Sequence, residues 1–324
     1  MAFRRGRQTM KKKFLTTILL SMLTALYATE DKQLLMVYEK GEGFIWINFY
    51  NKEIKSKYLC EGYHPQISPN GDKVAFTCDS PKDYPSMGRK IGIVDIKTGE
   101  IKILTSIPGN NNYGPTWSPD GRQIAFNHWN NNRWHIGIAT SQDSDFYILT
   151  KEIKAHRTIF RSPVWAPDGK HIYFHDMEYL YKINLNGEVT TGQKITDILN
   201  SKYSISGATK FLPSKDERYL LIDPPDVSGK GMEGLTEQLT VIVLYDTKSG
   251  NLRHISPDNL YAQNPRWMNE REIIFEGVTE EETRINGDNA PLNIYKISID
   301  TKELKLLLKN GKSPTVPYSG GVVK

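Results

Sequence analysis

The sequence predicts an all-β fold, and three observations carry that prediction. One phrase recurs at a spacing of about fifty residues: HPQISPNGDKVAF (64–76), GPTWSPDGRQIAF (114–126) and SPVWAPDGKHIYF (162–174). The chain is rich in strand-forming aromatics, with 17 Tyr, 11 Phe and 6 Trp among 324 residues, and its Gly and Pro fall at regular intervals. Helical periodicity of useful length is absent outside the N-terminal segment.

Each copy of the phrase reads as a hairpin. In 114–126, Pro115 to Ser118 is a short extended run, because Pro disfavours helix at its own position and at the residue before it. Pro119, Asp120 and Gly121 then supply the turn: Pro fixes φ, Asp bonds the backbone beyond it and Gly tolerates positive φ. The run RQIAF returns beside the first strand. Two more strands follow each hairpin: 90–100 with 101–106, then 134–140 with 146–151, then 179–188 with 193–197. Four short strands in about 40–50 residues is the period of a β-propeller blade.

Two weaker copies extend the series. GATKFLPSKDERYLLI (207–222) keeps a Pro but replaces Asp-Gly with SKDE, and 239–251 with 252–256 complete its unit. NPRWMNEREIIF (264–275) keeps the Trp with a turn one residue shorter, followed by 292–303 and 304–309. The ends make a sixth unit. Residues 32–40, 44–53 and 56–61 read as second, third and fourth strands, and SPTVPYSGG (313–321) reads as the missing first. Pairing of tail with head would close a six-bladed ring of four-stranded blades and leave no open edge between its ends.

The segment MKKKFLTTILLSMLTALYA (10–28) has a basic head, an apolar run from Phe14 to Leu26 and the small residue Ala28. That is the layout of a cleavable signal peptide, with Met10 an alternative start, and it predicts a periplasmic or secreted protein with no membrane span after cleavage. The expected domains are therefore a signal peptide over 1–28 and a single propeller over 29–324. Residues 1–28 hold six basic and no acidic residues, so their removal takes the formal charge from +5 to −1. Without a basic excess there is no electrostatic footprint for nucleic acid. The two cysteines, Cys60 and Cys78, are compatible with a bridge or with buried thiols.

WSPDG, APDG and SPNG, each followed by an IAF-like strand, resemble the WD-like Pro-Asp repeats of the TolB-like propeller family. The resemblance covers about residues 32–320. It implies the six-bladed fold and a binding module of the cell envelope. Only a few residues separate Ala28 from the first strand, so the propeller is expected without the N-terminal α/β domain that TolB carries.

Asp120 and Asp168 each stand alone beside a Gly, which suits a turn better than the alternating oxygens of a calcium loop. His171 and His175 sit on one strand, roughly 13 Å apart, too far to share an ion. No metal or other cofactor is expected. Alignment on the apolar runs places Tyr38, Thr77, Asn127, His175, Asp223 and Glu276 where each second strand ends. His64, Tyr113, Arg161, Ser206 and Asn264 fall near the start of the innermost strands. From these, His64, Tyr113, Asn127, Arg161, His175, Asp223, Asn264 and Glu276 are the candidate ligand-binding residues at one mouth of the central channel.

Between second and third strands lie the loop NHWNNNRWH (127–135), with Trp129 and Trp134 as candidate partner contacts, and three insertions at 79–89, 223–238 and 277–292. Gly229, Gly231 and Gly234 predict a flexible 223–238 segment. All these segments leave one end of the ring, where loops carry recognition on a rigid scaffold. With no catalytic motif complete, the sequence favours a monomeric, non-catalytic module that binds an envelope protein or peptide. The alternative is a carbohydrate-active or glycan-binding propeller with its site at the channel mouth.

Overall fold

The computed structural model describes residues 33–51, 53–80, 88–153, 159–317 and 322–323, so the expected signal peptide lies outside the described residues. In chain order, β1 (Gln33–Glu39), β2 (Phe44–Asn51) and β3 (Glu53–Glu61) lead to β4 (Tyr63–Ile67), β5 (Lys73–Asp79), β6 (Arg89–Asp95) and β7 (Ile101–Ile103). The next meanders are β8 (Asn112–Trp117), β9 (Gln123–Asn130), β10 (Arg133–Thr140) and β11 (Phe146–Ile148), then β12 (Arg161–Trp165), β13 (His171–His175), β14 (Tyr179–Asn184) and β15 (Val189–Lys194). Helix α1 (Ile195–Leu199) and β16 (Tyr203–Ser204) precede β17 (Lys210–Pro213), β18 (Tyr219–Asp223), the inserted β19 (Asp226–Gly231) and β20 (Gln238–Thr240), β21 (Val243–Asp246) and β22 (Leu252–His254). The chain continues with β23 (Leu260–Trp267), β24 (Glu272–Thr279), helix α2 (Glu280–Asn286), β25 (Asn293–Ser298), β26 (Leu304–Leu308), β27 (Lys312–Thr315) and β28 (Val322–Val323).

Consecutive strands pair antiparallel into the sheets β4–β7, β8–β11, β12–β15 and β23–β26, while β17, β18, β21 and β22 form another. The tail strand β27 pairs with β1 through Val37↔Thr315 and Glu39↔Lys312, which places it beside β1, β2 and β3. The inserted β19 and β20 make a small separate sheet with β16.

The apolar strand faces pack sheet against sheet. Ala75, Ile91 and Ile93 of the β4–β7 sheet meet Trp117, Ile124 and Phe126 of the next. Ala125, Ile136 and Ile138 then meet Trp165, Ile172 and Phe174. The same pattern joins the two ends of the chain, where Met36 and Tyr38 of β1 pack with Ile274, Ile294 and Val316. Cys60 and Cys78 are free thiols in the core between β1–β3 and β4–β7, and burial pushes Cys60 up to about 12.

The repeated phrase supplies two structural devices. The Ser118 hydroxyl donates to Asp120 Oδ1 at 2.6 Å and accepts from the Gln123 N–H at 2.9 Å, which closes the turn; Gly121 has φ +70°. Each repeat Trp reaches back one sheet: the indole N–H groups of Trp117, Trp165 and Trp267 donate to the carbonyls of Gln66, Thr116 and Leu212 at 2.8, 3.2 and 3.0 Å.

Three sequence expectations need correction. The SKDE segment keeps the turn Asp, because Ser214 donates to Asp216 Oδ1 and Glu217 takes the glycine's place at φ +54°. The fourth strand after 179–188 is Val189–Lys194, while the expected 193–197 runs into α1, whose Ile195, Ile198 and Leu199 share one buried helical face. The NHWNNNRWH stretch is mostly strand: β9 and β10 run on to a two-residue turn at Asn131 and Asn132, both at positive φ (48° and 61°), as a type I′ hairpin demands.

The indole relay predicts a stability pattern. Trp117→Phe leaves the Gln66 carbonyl unpaired and is expected to lower the unfolding free energy in urea by about 1–2 kcal/mol, against about 3–5 kcal/mol for Trp117→Ala. An unchanged unfolding free energy in Trp117→Phe would show that the hydrogen bond contributes nothing.

Candidate functional site at the channel mouth

At the end opposite the Ser-Pro-Asp-Gly turns, a second repeating device appears. The first residues of the innermost strands are bulged, with register breaks at Tyr63/Gln66, Tyr113/Thr116, Arg161/Val164 and Gln263/Arg266. Each bulge holds a residue at left-handed φ just before a proline: His64 (54°), Gly114 (66°), Ser162 (57°) and Asn264 (52°), joined by Ser313 (51°) in β27. For the non-glycine members this conformation costs about 1 kcal/mol each.

The side chain ending the second strand of the preceding sheet accepts the N–H of that residue. Glu39 Oε1 accepts from His64 at 2.7 Å, Thr77 Oγ1 from Gly114 at 3.0 Å and Asn127 Oδ1 from Ser162 at 2.9 Å. Asp223 Oδ1 accepts from Asn264 at 2.6 Å, and Glu276 accepts from Ser313. All five acceptors are buried. The sequence alignment had placed Tyr38 in this row; its true member is Glu39, one residue on, while Tyr38 packs in the core.

One junction departs from the rule. In β17 the register with β18 runs without a bulge from Lys210↔Asp223 to Pro213↔Leu220, and no proline follows Lys210. There the relay inverts. His175 Nε2 lies 2.9 Å from the Thr209 carbonyl, to which it donates, and its Nδ1 accepts from the Met177 N–H at 3.2 Å. Burial holds His175 down to about 4, so the ring is neutral.

Inside this row lies a cavity of about 600 Å³. His64, Tyr113, Asn127, Asn264 and Glu276 of the sequence-predicted set line it. His175 and Asp223 stand behind the wall, buried with their polar atoms engaged. Arg161 lies beside the mouth, its guanidinium 5.3 Å from the Trp134 ring. Sequence reasoning missed Glu39, Lys210 and Lys312, which also line the cavity. The usable signal was the X-Pro pair opening the innermost strands and its absence at Lys210.

The electrostatics are those of charges taken out of water. Burial pushes Glu276 up to about 7, opposed by its bonds to Ser313 and Asn264 and reinforced by Glu39 and Asp223. Burial also raises Glu39 and Asp223. Lys210 is brought down to about 7 by burial and then by Arg266, with Asp223 opposing. His64 falls to about 4 through burial and the cations Lys210, Arg89, Arg266 and Lys312. Among the described residues, no three His, Cys, Asp or Glu side chains are grouped so as to hold a metal ion.

An aromatic cluster flanks the cavity; of the two expected partner contacts Trp129 is half-buried, while Trp134 is buried at 9% exposure beneath its neighbours. Trp129 and Trp134 face each other across β9 and β10 with centroids 5.0 Å apart, and Tyr113 meets Trp134 edge-on at 5.1 Å. Arg89 lies 3.9 Å over the Tyr113 ring. On the opposite side, the 223–238 segment is docked rather than loose. Thr283 donates to the Glu233 carbonyl at 2.6 Å, Arg284 pairs with Glu233 at 2.9 Å, and Thr236 donates twice to Asp288. Gly234, at φ +88°, is required there, since a Cβ would lie 2.1 Å from the Thr283 carbonyl oxygen. Helix α2 begins at a full capping box between Thr279 and Glu282. Most of the 79–89 insertion lies outside the described residues.

Residues 50–241 match the PD40 family model, the TolB beta propeller domain, over more than half of the chain. The chain belongs to the TolB beta propeller family. This TolB-like propeller is similar in structure to TolB from Acinetobacter baumannii (TM-score 0.60, 16% identity, 88% of this chain and 66% of that one). It is also similar to the putative TolB from Agrobacterium tumefaciens (TM-score 0.56, 12% identity, 80% and 87% covered) and to a chain of the nidogen/laminin complex (TM-score 0.59, 9% identity, 88% and 99% covered). It thus spans just under two thirds of the Acinetobacter chain, and at these identities the likeness is one of fold. No curated protein matches the sequence significantly.

The carboxylate row predicts a pH dependence for this TolB-like propeller. A folded-state value raised above the unfolded one stabilises the fold below about pH 4.5, and that contribution is lost as pH rises through about 7. Glu276→Gln keeps an acceptor for Ser313 and removes the charge. The difference between the two melting temperatures is expected to move in the variant's favour from pH 5 to 8, because the contributions of Glu39, Asp223, His64 and His175 are common to both proteins. At pH 8 it should be the more stable protein by about 1 kcal/mol or more.

Proposed function

We propose that the chain is a six-bladed ring, closed by β27 on β1, that acts outside the cytoplasm as a non-catalytic binding module for a protein or peptide. The observation that carries this reading is the convergence of the cavity, the aromatic cluster and the α2–β19–β20 platform on one end of the scaffold. Large aromatics with one polar edge, set on rigid strands, are the usual anchors of protein interfaces. Ile285 on α2, 74% exposed, adds an apolar contact on the other side of the mouth. One structurally similar chain comes from a nidogen/laminin complex, an assembly of proteins.

Among the described residues, no helix is long and apolar enough to cross a membrane. The expected export rests on residues 10–28, and intact-mass analysis of the secreted chain should find Thr29 at its N-terminus. A start at Met1 or Met10 in the exported protein would remove the signal-peptide assignment.

The binding reading is tested by photo-crosslinking from single positions in the native compartment. Crosslinkers at Trp129 and Ile285 are expected to capture one and the same protein, and one at Lys170, beside a Pro-Asp-Gly turn, to capture nothing. Crosslinks confined to position 170 would place the binding surface at the wrong end. A glycan-binding reading draws on the same Trp129–Trp134 pair. It would be favoured by a saccharide whose affinity falls on Trp129→Ala while no protein crosslinks.

A further inference from the structure

We propose that the cavity at the channel mouth captures a carboxylate-bearing, acidic peptide segment, with Lys210 as its innermost contact and Arg161 and Arg89 guiding it from the rim. The inference rests on the reading of this end as a protein-binding surface, and it names the chemistry of what enters.

The argument begins with what the buried carboxylates already do. Glu39 gives one oxygen to the His64 N–H and the other to Lys312 at 3.9 Å. Asp223 gives one to the Asn264 N–H and the other to Arg266 at 3.4 Å. Glu276 accepts from the Gln263 and Asn264 amides, both at 2.8 Å, and from the Ser313 N–H. Each of the three carboxylates is thus committed to the scaffold by hydrogen bonds, and Glu39 and Asp223 are each offset by a cation as well. The remaining lining carboxylate, Glu42, is exposed.

The cations are in the opposite condition. Among the described residues, Lys210 and Arg161 make no hydrogen bond or ion pair to a side chain, and Arg89 bonds the neutral Asn111 and stacks on Tyr113, with Asp79 as its cross-strand neighbour. Opposite Asp223, Lys210 stands where Tyr63, Tyr113, Arg161 and Gln263 stand in the other sheets, one residue before the left-handed position that this junction lacks. Facing it are Asp223, which is shared with Arg266, and the neutral His64. Its ammonium is therefore short of negative charge, and an entering carboxylate supplies it through a charge-assisted hydrogen bond. Arg161 and Arg89 lie 5.3 and 5.9 Å from the Trp134 ring, so both cations flank a cluster of aromatic rings on the way in. A cavity of about 600 Å³ with such a cluster takes a side chain together with its neighbouring backbone, which favours a peptide over a small free anion.

The test is titration calorimetry of the full mature chain with acetyl-Glu₄-amide, acetyl-Gln₄-amide, glutarate and tetragalacturonate. The Glu peptide is expected to bind, and the Gln peptide about tenfold more weakly or worse, as befits loss of a hydrogen bond to a charged group. Lys210→Met should weaken the Glu peptide by about tenfold without changing the Gln peptide, and Arg161→Gln should do the same to a smaller degree. Lys170→Met should leave all affinities unchanged. Unaltered melting temperatures would exclude misfolding, and Arg161→Gln keeps the test open if Lys210→Met melts early. Equal affinity for the Glu and Gln peptides, or an unaffected Lys210→Met, would overturn the proposal. Tighter binding of glutarate or tetragalacturonate than of the Glu peptide would overturn the assignment to a peptide. If any of these holds while crosslinks from positions 129 and 285 persist, the acid specificity fails and the binding surface stands; if those crosslinks also vanish, both fail.

Discussion

A backbone N–H turned away from its own sheet is the constraint on which this structure depends. The bulge at the head of an innermost strand bends the chain toward the channel and leaves one donor aimed at the preceding sheet, where water is scarce. An unmatched donor there costs about 1–3 kcal/mol, on top of the strain of a left-handed residue. The side chains of Glu39, Thr77, Asn127, Asp223 and Glu276 meet that demand. Each acceptor belongs to one sheet and each donor to the next, so the bond fixes the spacing between sheets at the mouth. The indoles of Trp117, Trp165 and Trp267 do the same nearer the turns.

That constraint explains why carboxylates sit in a place so unfavourable to charge. Glu39, Asp223 and Glu276 are all raised by burial, and Glu276 stands near neutrality in its titration. Thr77 and Asn127 meet the same need without charge, so hydrogen bonding alone does not require acids. Two of the acids are found beside cations: Lys312 lies by Glu39, and Arg266 and Lys210 by Asp223, while Glu276 faces the other two carboxylates. The mouth is thus a compact charge network in which structural and ligand-facing roles compete for the same atoms. At the one junction without a bulge, between β13 and β17, no left-handed N–H needs an acceptor. His175 can then act as a donor, and Lys210 stands at the cavity opposite Asp223, which it shares with Arg266.

Much of the fold was legible in the sequence because its turns and strands are local. Ser-Pro-Asp-Gly followed by alternating apolar residues specifies a hairpin from within thirteen residues, and its recurrence orders the sheets. Even the pairing of 313–315 with β1 follows from counting strands. Errors arose where the local pattern was ambiguous or the contact was distant. Ile195, Ile198 and Leu199 suit a helical face as well as the end of a strand. Three glycines in 223–238 look flexible until Gly234 is seen against the Thr283 carbonyl, a contact 49 residues away in sequence. Tyr38 was taken for Glu39 because the first strand carries no Pro-Asp-Gly turn to fix its register.

The candidate site was legible in position but not in role, and the reason is physical. Alignment of the apolar runs puts polar residues at the strand ends, and five of the eight candidates line the cavity. Yet a propeller of this construction puts polar side chains at the mouth whether or not anything binds, since the bulged backbone requires them. Polarity there is therefore weak evidence of function. The informative groups are those the backbone does not consume: the ammonium of Lys210, the guanidinium of Arg161 and the half-buried ring of Trp129. None completes the fold by a side-chain hydrogen bond to the scaffold among the described residues; Lys210 has only Asp223, shared with Arg266, and Arg161 only the face of Trp134. The placing of these groups beside a cavity is what the proposed binding role accounts for, whereas the buried acceptors are accounted for by the bulged backbone alone.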